Sequence, residues 1–310
     1  MYIIEVIPLT NLPPQVPQIL SYFFDQTLPR GSVVEILIQK KKVKAVVIGA
    51  TPLEHRKGAL KKSTFQLKKL SRVINKEPQV SREQFQIALW MAKHYYAPLG
   101  LSLKTVLPPF FGKQSYSTSI KSAIEKITLN ERATPPPTFI SVRAKQTITV
   151  IKPIIEKIIR KGGQVLLISP DNTTLDYFYK QLQKLSPAVQ ISSDIPNNGY
   201  FKIWNSVAEG SLKLICGTRV GLFLPFRDLK LVIVEDPLHD AYKSDMSPRY
   251  NTPDAALHVA RLHGARTIFT SPLPSLNTDY AIAQKIFVQK DQRTPAAASV
   301  EIIDIGDERK

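Results

Sequence analysis

Short apolar runs separated by turn residues open the chain. "MYIIEVIPL", "QILSYFF" and "GSVVEILIQKKKVKAVVIGA" alternate within residues 1–50 and read as strands of a small β-rich unit. In the last of these, residues 33–38 and 43–48 flank 39–42, which predicts a hairpin with Lys40, Lys41 and Lys42 at or beside its tip. "FQLKKLSRVINKEPQV" returns as an extended segment. Helical spacing follows in "SREQFQIALWMAKHYYAPLG", with Ser81 as N-cap, Glu83 in the first turn, and Phe85, Leu89, Trp90 and His94 or Tyr95 on one face. That stripe is expected in the core rather than stacked on bases. From Pro108 the chain turns rich in Ser, Thr and Pro and ends in three prolines at 135–137, a stiff linker with one short helix expected at 120–127.

Beyond residue 138 strands and helices alternate. "TFISV", "GQVLLISP", "AVQISS", "LKLICGT", "LKLVIVED" and "RTIFTSP" are separated by helical patterns at 148–160, 174–185, 200–208 and 253–262. Nearly continuous apolar strands of this kind predict a parallel sheet covered on both faces. The expected fold is therefore α/β: a small β-rich domain (residues 1–112), a linker (113–138) and a single parallel-sheet lobe (139–310). In such sheets chemistry sits at the carboxyl ends of the strands, here Ser169-Pro170-Asp171, Gly217-Thr218-Arg219, Glu235-Asp236 and Ser271-Pro272.

Charge points to a class of partner. The chain of 310 residues holds 42 Lys and Arg against 25 Asp and Glu, a net charge of +17. Residues 1–112 carry the larger excess, so a polyanion is expected there, with exposed loop lysines suited to phosphates. The same lysines would also guard an edge hairpin against pairing with another sheet. No run of 18 apolar residues and no basic leader occurs, so neither a membrane span nor a signal peptide is expected, and the cytoplasm is the expected compartment. One cysteine, Cys216, excludes an internal disulfide and reads as a buried strand residue. His239, His258 and His263 are spaced unlike metal ligands on one helix face and are expected at the surface; no metal site and no catalytic residue are expected.

"CGTRVGLFLPFRDLKLVIVEDPLHDAYKSDMSPRYNTPDAALHVARLHGARTIFTSPLPSLNT" resembles the first RecA-like lobe of the primosomal protein N′ (PriA) family of superfamily 2 helicases. Gly217-Thr218-Arg219 with Leu222-Phe223 and Pro225-Phe226, then Tyr242-Lys243, Arg249-Tyr250 and Asp254, carry the likeness. "RGSVVEILIQKKKVKAVVIG", "LKKLSRVINKEPQV" and "ALWMAKHYYAPLGLSLKTVLP" resemble that family's 3′-DNA-binding domain in order and spacing. The resemblance implies a 3′-end pocket at Leu20, Ser21, Gln39 and Lys68. Lys68 keeps the family's residue type. Leu20-Ser21 replaces an aromatic-acid pair and Gln39 a glycine, which removes the carboxylate that would accept the 3′-hydroxyl proton. Backbone contacts through Lys40, Lys41, Lys42, Lys44 and Lys68 need charge more than shape, and remain expected.

The ATPase features depart further. A phosphate loop G-x-x-x-x-G-K-[ST] needs glycines so that backbone N–H groups can wrap the phosphates. Aligned on Thr147, its lysine becomes Gln146, its glycines Ile140 and Lys145, and a further family glycine Arg143. The acidic box reads Glu235-Asp236-Pro237-Leu238, and Ser271-Pro272-Leu273-Pro274 replaces a Ser-Ala-Thr-like motif. No room is expected for the family's winged helix between residues 109 and 139, and its second lobe, with zinc-binding cysteines, and its C-terminal domain are expected to be missing. The expected function is binding of forked or 3′-ended DNA in replication restart, without cofactor and without hydrolysis by this chain alone. Two alternatives stand: a helicase component using ATP and Mg²⁺ with a second lobe supplied in trans, kept open by Lys145, and a scaffold for replication-restart proteins.

Overall fold

The computed structural model describes residues 1–56, 67–109, 111 and 133–291. The helix expected at 120–127 lies outside the described residues. Two sheets organise the rest. The first has six strands: β1 (Tyr2–Pro8), β2 (Leu20–Phe24), β3 (Val33–Ile38), β4 (Lys41–Pro52), β5 (Lys68–Lys69) and β6 (Arg72–Asn75), in the order β5-β2-β1-β4-β3-β6. β5 adds in parallel to β2, and β6 pairs antiparallel with β3. Between them Leu70 donates its N–H to Phe23 (3.0 Å) and Ser71 to Glu35 (3.2 Å). One short stretch thus bridges both edges and curls the sheet closed, which removes open edges. Ile4, Val6, Val34, Ile36, Ala45 and Val47 fill its interior at alternating positions.

Helices α1 (Arg82–His94) and α2 (Leu99–Val106) follow. Ser81 caps α1 as expected: its hydroxyl accepts from the Gln84 N–H, and the Gln84 side chain accepts in return from the Ser81 N–H. α2 was not expected from the sequence. It packs so closely on the end of β1 that a Cβ on Gly100 would lie 2.0 Å from the Pro8 carbonyl oxygen.

The second sheet has seven strands, all parallel, in the order β13-β7-β12-β11-β8-β10-β9. They are β7 (Thr138–Ser141), β8 (Gln164–Ile168), β9 (Ala188–Ile191), β10 (Leu214–Gly217), β11 (Leu229–Glu235), β12 (Arg266–Ser271) and β13 (Val288–Asp291). Helices α3 (Thr147–Arg160), α4 (Asn172–Leu182), α5 (Asn197–Glu209), α6 (Thr252–His263) and α7 (Leu276–Ala283) alternate with them. The six strands read from the sequence are all present; α7 and β13 were not read. One core packs on each face, Ile140, Leu167 and Ile233 on one and Ile168, Val232 and Val234 on the other. At the amino edge the buried Gln164 side chain meets four backbone groups. Its Nε2 donates to Val207 (3.0 Å) and Leu212 (2.9 Å), and its Oε1 accepts from the N–H groups of Arg227 and Asp228 (2.9 Å each).

The units meet along α1 and α6. Trp90 stacks on His258 at 4.5 Å, and Gln84 Nε2 donates across the junction to the Phe223 carbonyl (3.1 Å). The aromatic stripe of α1 is therefore packing surface. His258 is buried by it, which corrects the expectation of a surface histidine. Burial first, then the charges of Arg261 and His94, lower its pKa to about 4.

Candidate nucleic-acid interface

Strand register brings the residues of the expected 3′-end pocket together. Lys68 pairs with Tyr22, directly after Leu20 and Ser21. The buried Tyr22 hydroxyl donates to the Leu37 carbonyl (3.1 Å), two residues before Gln39. Leu20, Ser21, Lys68 and the β3–β4 turn thus gather at one end of the closed sheet. The turn is tighter than the four residues expected. Ile38 pairs with Lys41, leaving a two-residue loop in which Gln39 and Lys40 have φ of 45° and 67°. Loops of two residues match the twist of their strands only with left-handed backbone. Lys41 and Lys42 consequently lie in β4, not in the loop.

The lysines are not equivalent. Lys40, Lys41 and Lys68 are exposed. Lys42 lies 3.6 Å from Glu35 while 71% exposed, a pairing that solvent weakens. Lys44 is half-buried and donates to the Phe111 carbonyl (3.1 Å), so it is tied to the protein body.

At the second sheet, Ser169, Thr218, Asp236 and Pro272 follow directly on β8, β10, β11 and β12, four neighbouring parallel strands. The loop from β7 to α3 closes on itself. Arg143 has φ −71°, Gln146 φ −100° and Thr147 φ −53°, and residues 144–146 make a 3-10 turn. The Gln146 N–H donates to Arg143 (2.8 Å) and the Thr147 N–H to Ala144. Two N–H groups that could meet an anion are thus spent within the loop. Thr147 itself is buried, its hydroxyl 3.4 Å from the Arg143 carbonyl oxygen.

Lys145 lines a cavity of about 350 Å³ with Ala144, Thr173, Thr174, Tyr177, Phe178 and Glu235. Glu235 is buried and its Oε2 has no hydrogen-bond partner. Burial, followed by the charges of Asp236 and Asp171, raises its pKa to about 7. Asp236 takes φ 43° and lies 3.4 Å from the Ser271 hydroxyl. Asp171 is occupied as the α4 N-cap, accepting from the Thr174 N–H (2.8 Å). Among the described residues no group of three potential ligands could hold a metal ion.

Several residues behind the family likeness hold the lobe together. A Cβ on Gly217 would stand 2.7 Å from the Ile191 side chain and 3.2 Å from its carbonyl oxygen, so only glycine fits. The buried Tyr242 hydroxyl donates to the Glu235 carbonyl (2.6 Å), with the Ile168 carbonyl at 3.1 Å. Tyr250 packs edge-on against Phe223. The Tyr95 hydroxyl accepts from the Asn251 N–H (3.2 Å) and hydrogen-bonds the Asp254 carboxylate, joining α1 to the start of α6. Cys216 is buried as expected, its thiol pushed up to about 12 by burial. Sequence reasoning missed Glu235's isolation and Tyr95's bridging role, since both depend on contacts between distant segments.

A curled six-stranded mixed sheet joined to a seven-stranded parallel sheet with alternating helices defines the fold class as α/β. Residues 7–108 match the family model of the 3′ DNA-binding domain (3′BD) of PriA. The chain is 25% identical over 274 residues to the replication restart protein PriA of Rickettsia prowazekii, covering 78% of this chain and 41% of that protein. It is 24% identical over 308 residues to PriA of Helicobacter pylori strain J99, covering 95% and 47%. The chain is PriA-like, and it spans less than half the length of these relatives. Among solved structures, the C-terminal domain of S. cerevisiae Dbp5 bound to Gle1 and IP6 aligns over 51% of this chain and 90% of its own, at 13% identity and a TM-score of 0.39. No described helix is long and apolar enough to cross a membrane.

Proposed function

We propose that this PriA-like chain binds forked or 3′-ended DNA during replication restart in the cytoplasm, and that it does not hydrolyse ATP by itself. In this reading residues 1–112 bind DNA, 113–138 link, and 139–310 serve as a scaffold lobe. One observation carries it: exposed lysines crowd the end of the sheet where Leu20, Ser21, Gln39 and Lys68 meet, within the segment matching the PriA 3′ DNA-binding domain. Against nucleotide chemistry, the loop at 143–147 spends the N–H groups of Gln146 and Thr147 internally and carries Arg143, Lys145 and Gln146 where a phosphate would need space. Phosphate contacts need only charge at a surface, whereas hydrolysis needs a shaped nest, so one activity is retained without the other.

The test is equilibrium binding of a labelled fork with a free 3′ end and of labelled ATP with Mg²⁺, on one preparation at two salt concentrations. Salt-sensitive fork binding without ATP binding is expected. Saturable, Mg²⁺-dependent ATP binding would overturn the account of the loop. It would favour the second reading, a helicase component completed in trans, which the shared cavity of Lys145 and Glu235 keeps specific.

A further inference from the structure

The lysines of β4 continue past the turn into a separate feature. A cavity of about 430 Å³ lies between β4 and the C-terminal end of α2, lined by Lys42, Lys44 and Lys104 over apolar Leu9, Val43 and Leu107. None of its lining residues is acidic. Lys104 is exposed in the last turn of α2, and nothing in the residues of the 3′-end pocket includes it. Lys44 donates one hydrogen to Phe111, and an ammonium group has three to give. Lys42 faces Glu35 only through a solvent-weakened pairing, which a phosphate can displace. Three cations on an apolar floor suit a phosphodiester, whose anion meets the ammonium groups while its sugar covers the floor.

We propose that this cavity seats backbone phosphates a few nucleotides inside the 3′ end, with Lys104 as a DNA contact supplied by the helix rather than the sheet. Four residue steps separate Lys40 from Lys44, roughly 13 Å at about 3.3 Å each. A B-form strand rises about 3.4 Å per phosphate and winds as it rises, so the cavity lies within a few nucleotides of the turn. The proposal rests on the DNA-binding reading above and extends it to an internal stretch of the same strand.

The experiment compares the wild-type chain with Lys104→Glu, and with Lys104→Gln, which removes the charge without opposing the helix end. Each is titrated with a 3′-ended duplex, either unmodified or bearing neutral methylphosphonates at the third to fifth linkages from the 3′ end. Lys104→Glu is expected to weaken binding of unmodified DNA about 3- to 10-fold and to lower the salt slope by about 1, with Lys104→Gln between it and wild type. Methylphosphonates should weaken the wild type but leave Lys104→Glu nearly unchanged. Equal affinity and slope for all three proteins, or an equal methylphosphonate effect on each, would overturn the proposal while leaving DNA binding intact. Inorganic tripolyphosphate bound through Lys104, with methylphosphonate DNA bound normally, would mark a seat for free polyphosphate and overturn it too. A wild-type chain with no DNA affinity would overturn the DNA-binding reading and this proposal with it.

Discussion

Two loops in this molecule stand where glycine would be the easy residue, and they resolve its absence in opposite ways. Between β3 and β4, Gln39 and Lys40 hold left-handed backbone because the hairpin register on both sides demands it. Between β7 and α3, the loop at 143–147 keeps ordinary negative φ values and closes on itself as a 3-10 turn. A loop clamped by paired strands must accept strain of about 1–2 kcal/mol per residue. A loop clamped at one end by a strand and at the other by a helix start can relax, and this one does so into a 3-10 turn. Geometry is retained where neighbours enforce it.

The comparison breaks most visibly through charge. Replacing Lys40, Lys41 and Lys42 together with glutamate is expected to weaken fork binding about 100-fold at low salt and to flatten its salt dependence, read by fluorescence anisotropy. Unchanged affinity would show that the turn is not a DNA contact. Next in size is Glu235→Gln. Its folded pKa, about 7, lies above the 4.5 of a free glutamate, so the native state holds the proton more tightly. Stability from this group is therefore full below pH 4.5 and declines as pH rises through 7. The glutamine variant should gain about 2–3 kcal/mol at pH 8 and little at pH 4.5, measured by urea unfolding at both.

Lys40→Gly sharpens the contrast between the loops. Relief of left-handed strain should raise stability by about 1 kcal/mol while the salt slope of DNA binding falls by about 1. The smallest effect is expected for Lys145→Ala, which on the proposed reading should leave fork affinity unchanged and ATP turnover undetectable. Loss of a DNA-stimulated ATPase in that variant would return the second loop to nucleotide chemistry.

Much of this arrangement was legible before the structure. Apolar strands bounded by turn signals gave the parallel sheet, and its carboxyl edge located Asp171, Arg219, Glu235 and Ser271. The closure of the first sheet was not legible, because Lys68–Lys69 is too short to show alternation. Nor was the two-residue turn, since Gln39-Lys40 lacks the Asn-Gly or Asp-Gly signature of such loops. α2 was hidden by Gly100, a residue that disfavours helix but is required by the close approach of Pro8. The ties on Lys44 and the stacking of His258 join residues far apart in sequence, where pattern carries no signal.

Gln164 gives the lobe a division of labour between its two edges. Its amide has met every backbone group it can hold at the amino edge, far from the strand ends where a nucleotide would sit. Folding of the sheet is secured there without help from a ligand. Substitutions at the opposite rim can then be made at little expense to the fold, because the hydrogen bonds that anchor the sheet are not the ones they touch.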